Sequence, residues 1–321
     1  MEYSELNDII KSSKNILILS HVNPDGDTLG SMCGLYCAIL ENFKKKCDMA
    51  AMSKIPDIYM HLPHINEVKN IDEIDKSREY DLVINVDIAA IDRACDGKIL
   101  FDKAKSTVNI DHHKTNNSYG KLNFINPDAS STGEVLLDIF TNLNWKVNLD
   151  CANCLYTAIL TDTGSFRFDN TKPKTFESAA KLVEIGVNPS DIYKKVYESD
   201  SKTLVMFQAY CISKAKFLND DKIAYTVVYK KDMEKYSAGD ECFEGLTERL
   251  RAIVSTRIAF VAKEMKSGGT KFSMRSKFAD VAQICEVFGG GGHKLAAGCT
   301  IKAPVEDAVK MVLKEIESRE I

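Results

Sequence analysis

Short apolar runs alternating with amphipathic stretches are what most restrict the fold open to this chain. Ile16–Ser20, Leu82–Val86, Thr107–Ile110 and Leu122–Ile125 read as strands, with a weaker candidate at Cys47–Met52. Tyr3–Ser12, Leu29–Phe43, Thr132–Leu143, Cys151–Thr161 and Lys174–Ile185 carry helical spacing, and Ser130-Ser131-Thr132 supplies capping material before Gly133-Glu134. That alternation argues for a parallel sheet covered by helices on both faces. Asn188-Pro189-Ser190 breaks the pattern and starts a new helix, with Pro189 in its first turn. Asp191–Lys216 then reads as one or two connecting helices. Beyond it, strands at Ile223–Tyr229, Ile258–Glu264 and Lys271–Met274 mix with helices near Phe243–Val254, Val281–Phe288 and Val305–Glu317. The expected fold class is α/β: a parallel-sheet domain at 1–188, a helical linker at 189–217, and a smaller α+β domain at 218–321. A chain of 321 residues suits two domains, since single cores seldom grow past about 250 residues.

The strand ends carry the chemistry. His21-Val22-Asn23-Pro24-Asp25-Gly26-Asp27 follows the first run, Asp87 closes the third, and Asp111-His112-His113 closes the fourth. Asp162-Thr163-Gly164 follows the fourth helix. In open α/β sheets, ligand sites collect outside the carboxyl ends of the strands. A lone aspartate there is usually a cap or turn former, but this succession is harder to dismiss. Asp25, Asp27, Asp87 and Asp162 would gather four negative charges, which repel unless cations neutralise them. Two divalent ions would do so, and mixed imidazole and carboxylate donors suit Mn²⁺ best, with Mg²⁺, Co²⁺ or Fe²⁺ as alternatives. His61 and His64 match no ligand spacing and read as surface or partner-packing residues.

A second cluster lies near the C-terminus. Gly289-Gly290-Gly291-Gly292 offers backbone N–H groups without Cβ obstruction, a candidate anion nest, and His293 and Lys294 follow directly. Arg275, at a strand end, has the fork geometry to grip a phosphate.

Composition narrows the partners. The formal net charge of −4 argues against a broad duplex-binding surface but leaves room for a short or small anionic substrate. No window reaches the roughly 18 apolar residues of a membrane span, and the acidic, polar start Met1-Glu2-Tyr3-Ser4-Glu5 does not read as a secretory signal. The expectation is a cytoplasmic protein without membrane contact. The ten cysteines include one C-x-x-C, Cys151 and Cys154, without a second pair; reduced, mostly buried thiols are expected.

With these residues in view, the chain resembles the DHH phosphoesterase superfamily, named for a triplet present here as Asp111-His112-His113. The resemblance spans nearly the whole length, and Arg275 through Gly298 looks like the DHH-associated C-terminal domain. Within the superfamily the chain is most similar to the NrnA type, bacterial bifunctional oligoribonucleases and 3′-phosphoadenosine-5′-phosphate phosphatases. The resemblance implies that His21, Asp25 and Asp87 hold one Mn²⁺, while Asp27, Asp87, His112 and Asp162 hold another, with Asp87 bridging. It further implies His113 near the scissile phosphate, Asp111 orienting the imidazoles, and Arg275, Gly289, Gly290, Gly291, Gly292 and His293 on the nucleotide. The implied activity is Mn²⁺-dependent hydrolysis of short single-stranded RNA or DNA and of 3′-phosphoadenosine-5′-phosphate. Alternatives kept open are a cyclic-dinucleotide or pApA phosphodiesterase, a RecJ-like single-strand DNA exonuclease, a related inorganic pyrophosphatase and a non-catalytic nucleotide-binding regulator. The oligomeric state also stays open, a homodimer included.

Overall fold

The computed structural model describes residues 3–319, so the outermost ends of the two expected domains lie outside the described residues. The chain divides into two compact units, with the boundary between Ser199 and Asp200.

In chain order the first unit comprises α1 (Ser4–Ser12), β1 (Ile16–Leu19), α2 (Gly26–Phe43), β2 (Asp48–Ala51), β3 (Val68–Asn70), β4 (Leu82–Val86), α3 (Gly97–Lys103), β5 (Ser106–Asp111), β6 (Leu122–Ile125), α4 (Thr132–Asn142), α5 (Leu149–Asp162), α6 (Pro173–Ile185) and α7 (Pro189–Tyr197). Its six strands are all parallel, in the order β3-β2-β1-β4-β5-β6. Alternate residues feed cores on opposite faces. Ile16, Ile18, Ile84 and Ile110 pack with α1, α2, α4 and α5, whereas Leu17, Leu19 and Val83 pack with Leu100 and Phe101 of α3. Burial on both faces is why these strands read as unbroken apolar runs. The strand order reverses between β1 and β4, and at that switch the loops after the two strands part and leave a crevice. Asp87 follows β4 directly, and His21 follows β1 after Ser20.

Close helix packing sharpens the site. A Cβ at Gly26 would come within 2.4 Å of Thr161, one at Gly30 within 2.5 Å of the Cys154 carbonyl, and one at Gly34 within 2.7 Å of Leu155. Spaced four apart, these glycines form one stripe of α2 on which α5 lies. The helix begins at Gly26 rather than at the expected Leu29, because Asp25 caps it. β3 and α3 were not expected: each is short, and β3 is mostly polar.

The second unit comprises α8 (Lys202–Ser213), β7 (Lys216–Leu218), β8 (Ile223–Val228), α9 (Lys230–Tyr236), α10 (Leu246–Arg251), β9 (Ile258–Glu264), β10 (Thr270–Ser276), α11 (Val281–Glu286), β11 (Gly291–His293), β12 (Ala296–Ile301) and α12 (Val305–Glu317). Its sheet runs β11-β12-β10-β9-β8-β7, with only the β8–β9 pair parallel. Tyr225, Phe260, Phe272 and Met274 face α11 and α12, while Val228 and Val261 join Phe207 of α8 on the other side. The stretch expected as a linker, 189–217, is shared between the units, since α7 packs on α5 and α8 packs on β8. Among the described residues all ten cysteines are free, and only Cys95 is exposed. No described helix is long and apolar enough to cross a membrane.

Candidate metal centre

Each acid reaches the crevice for a local reason. Asp25 is the N-cap of α2, and its Oδ1 accepts the N–H groups of Asp27 and Thr28 at 3.1 Å each. Its Oδ2 is left 3.7 Å from His21 Nε2. Asp87 adopts φ +60°, a conformation costly for a residue with a Cβ. It is held there by its N–H on the Ile110 carbonyl and by the Thr132 hydroxyl, which donates to Oδ1 at 3.1 Å. Asp111 ends β5, and Asp162 is the last residue of α5, one position inside the helix it was expected to follow.

The acids and imidazoles converge on two sides of one carboxylate. Asp87 Oδ2 lies 3.4 Å from His21 Nε2, and Asp87 Oδ1 lies 3.7 Å from His112 Nε2. His112 Nε2 is also 3.7 Å from Asp27 Oδ2 and 3.6 Å from Asp162 Oδ2. Thus His21, Asp25 and Asp87 form one potential donor group, and Asp27, His112 and Asp162 form another beside Asp87. His21 Nδ1 lies 2.8 Å from the Val22 carbonyl and 3.4 Å from an Arg93 Nη, which leaves Nε2 as the nitrogen that faces Asp25 and Asp87 in the crevice.

His113 is arranged differently. Its Nδ1 donates to Asp111 Oδ1 at 2.7 Å, and Asp111 also accepts the N–H groups of His112 and His113 and the Asn116 amide. Asp111 is fully buried, whereas the His113 side chain is about a third exposed.

Electrostatics show what the cluster lacks. Burial, then the neighbouring Asp87, Asp162 and Asp25 charges, push the Asp27 carboxyl well above the usual range. Burial also lifts Asp162, to about 6, eased by His112 and reinforced by Asp87. Burial would lower the His21 imidazole, but its hydrogen bonds to the Asp25 and Asp87 carboxylates raise it to about 10. Asp111 keeps His113 more basic than usual against the effect of burial. Among the described residues no lysine or arginine lies within ion-pair distance of Asp25, Asp27, Asp87 or Asp162; histidines are their only cationic partners. Two buried carboxylates, Asp27 and Asp87, with the more exposed Asp25 and Asp162 beside them and imidazole nitrogens interleaved, form a donor set that fits divalent metal ions.

Several supporting groups were not evident from sequence. The N–H groups of Thr132 and Gly133, at the start of α4, donate to the two Asp27 oxygens at 2.7 and 3.0 Å, so the positive end of a helix faces the cluster. Ser31 donates to Asp27, Asn116 to Asp111, and Asn170 to Asp162. The cap residues 130–134 were visible, but nothing marked a distant carboxylate as their acceptor.

In the second unit, Arg275 Nε donates to Glu248 at 2.6 Å and one Nη to the Met274 carbonyl, so its fork is partly engaged within that unit. The glycine run is not an open nest throughout. The Gly289 and Gly290 N–H groups bond the Glu286 and Cys285 carbonyls, while Gly291 to His293 forms β11 against β12. Gly290 and Gly292 are needed for close approach: a Cβ there would sit 2.3 Å from the Gly298 carbonyl and 2.5 Å from the Ala296 carbonyl. His293 is exposed on that edge strand.

Fold and cluster together define an α/β protein with a carboxylate and histidine cluster, able to hold metal, at a sheet switch point. The profile of the DHH family N-terminal domain matches residues 15–159, and that of the DHHA1 domain matches residues 220–319. A Thermus thermophilus protein described as a bifunctional oligoribonuclease and PAP phosphatase, NrnA, is 30% identical over 94% of this chain and 89% of its own length. The Bacillus subtilis protein of that name is 27% identical over 98% of this chain and 97% of its own. The crystal structure of an exopolyphosphatase-related protein from Bacteroides fragilis superposes with a TM-score of 0.91 at 25% identity, covering 98% of this chain and 95% of that one. The chain belongs to the DHH family.

Proposed function

We propose that this protein is a cytoplasmic, Mn²⁺-dependent phosphoesterase that hydrolyses short single-stranded oligonucleotides and converts 3′-phosphoadenosine-5′-phosphate to AMP and phosphate. The observation that carries the reading is Asp87, whose two oxygens face two separate sets of imidazole and carboxylate donors. A binding protein has no evident need for such a shared carboxylate. The substrate class comes from the two NrnA relatives, which match along almost the whole chain.

In this reading His21, Asp25 and Asp87 hold one ion, and Asp27, Asp87, His112 and Asp162 hold the other. Divalent ions bound there would supply Lewis acidity for the phosphoryl group and would lower the pKa of water towards neutrality. The chain's own groups do the rest. Asp111 fixes the proton of His113 on Nδ1, which turns Nε2 outward. The raised basicity of His113 favours its protonated form, so it can deliver a proton to the departing oxygen. In the second unit, Arg275 would hold a substrate phosphate with the part of its fork not engaged by Glu248 and Met274, and Gly289–Gly292 and His293 would contact the nucleotide. The net charge of −4 suits a substrate of a few nucleotides and not a long duplex.

The test is turnover with Mn²⁺ on short RNA, short DNA, 3′-phosphoadenosine-5′-phosphate and cyclic dinucleotides, side by side. Short RNA and the bisphosphate should be consumed fastest. Preferential turnover of the cyclic dinucleotides would replace the substrate assignment, and no hydrolysis with any divalent ion would overturn the activity.

A further inference from the structure

A cavity of about 480 Å³ opens in the first unit at the rim opposite the acid cluster, where β1, β2 and β3 begin. Its volume is within the roughly 300–1,000 Å³ typical of small-molecule sites. β1 alone sets it roughly 10 Å from the residues at the carboxyl end of that strand. Lys14, Lys46, Lys69 and Arg78 line it, against two acids, Asp48 and Glu67. Both acids are already satisfied inside the wall. Arg78 pairs with Asp48 at 2.7 Å and Tyr80 donates to it, while His64 and Tyr36 both hold Glu67. That leaves the ammonium groups of Lys14, Lys46 and Lys69 with no carboxylate within ion-pair distance among the described residues, gathered around one concavity. Asn15 and Asn66 add amide groups to the same wall.

We propose that this cavity is a second anion site, separate from the metal centre, that takes a small phosphorylated ligand of nucleotide size. Three unpaired cations match a phosphate's charge, and the side-chain amides can hydrogen-bond a base or ribose edge. The rim at the amino ends of the strands lies outside the usual location of ligands in such sheets, so the sheet's topology does not itself call for a basic cavity there.

The test is amine-reactive footprinting of the full chain, read by mass spectrometry, with chelator present and ionic strength matched. Without divalent ions the four-carboxylate cluster repels phosphate, and labelling of the cavity lysines reads this site alone. AMP should slow labelling of Lys14, Lys46 and Lys69 severalfold, leaving Lys181 on α6 unchanged. Adenosine should protect none of them, and inorganic phosphate should protect less than AMP. Equal protection by phosphate and AMP would overturn the nucleotide-sized ligand, and no protection by either would overturn the site. In a binding titration under the same conditions, Lys46→Ala/Lys69→Ala should weaken AMP by roughly tenfold at this site. Its phosphoesterase turnover should match the unmodified chain, because neither lysine touches the metal centre; unchanged AMP affinity in the double variant would also overturn the proposal.

Discussion

At the scale of single residues, Asp87 is under the greatest demand: a left-handed backbone, almost complete burial, and histidines on both of its oxygens. Asp87→Asn keeps the shape and removes the charge. Turnover should fall roughly 100-fold or more, in keeping with the several kcal/mol a metal supplies, while Tm holds or rises because like-charge repulsion is relieved. A variant with near-normal turnover in Mn²⁺ would remove Asp87 from the bridging position. Asn116 has a subtler part. It donates to Asp111 Oδ2 at 2.6 Å, and Asp111 in turn fixes His113. Asn116→Ala should therefore cost about 10–100-fold in activity without contacting substrate, and unchanged kinetics would show that Asp111 is positioned well enough by its backbone donors. The acids and histidines announce themselves by residue type at strand ends. Asn116, Thr132 and Gly133 do not, since a single amide or a backbone N–H has no signature until the fold shows which carboxylate it meets.

At the scale of elements, the site depends on how closely α5 lies on α2. A methyl at Gly30 would come within 2.5 Å of the Cys154 carbonyl and 3.0 Å of Ala158. Backbone cannot yield as a side-chain tip can, so Gly30→Ala should destabilise the chain by about 1–3 kcal/mol. Because Asp162 ends α5, displacement of that helix should also weaken Mn²⁺ binding, read by calorimetry. Gly291→Ala is the contrast: nothing lies within 4 Å of a Cβ there, so stability should hold within about 0.5 kcal/mol and any effect should fall on KM. Equal losses of stability in the two variants would discard the packing argument. The glycines at 26, 30 and 34 are spaced four apart in the sequence, but that spacing alone does not name the helix that lies on them. In the second unit the strands β11 and β12 escaped because glycine and alanine lack the β-branched and aromatic bulk that marks a strand. The run read as a nest is half a hairpin, its spacing set by the backbones on either side.

At the scale of the whole molecule, the order of apolar runs was enough to foresee a parallel sheet under two helical layers, since strands buried on both faces leave continuous apolar signals. The division between Ser199 and Asp200 was less legible, because α7 and α8 follow one another across a short break and are assigned to a unit only by the core each one joins. The stability of the molecule without metal follows from the acids that this fold gathers. The Asp162 carboxyl is raised from 3.8 to about 6, Asp27 is raised as well, and His21 is raised from 6.5 to about 10. In each case the folded chain binds a proton more tightly than the unfolded one. Stability from these groups is therefore complete below their unfolded values and is lost as pH rises through the folded ones. Asp25 and Asp111 are shifted the other way, but their contribution is lost only as the solution becomes more acidic than about pH 4. Divalent ions compete with the same protons, so their affinity grows with pH. With chelator, Tm should decline between about pH 5 and pH 8; with saturating Mn²⁺ it should hold, so that the gap between the two curves widens steadily across that range. A gap that stayed flat or narrowed would mean that the raised acids and His21 are not where the ions bind.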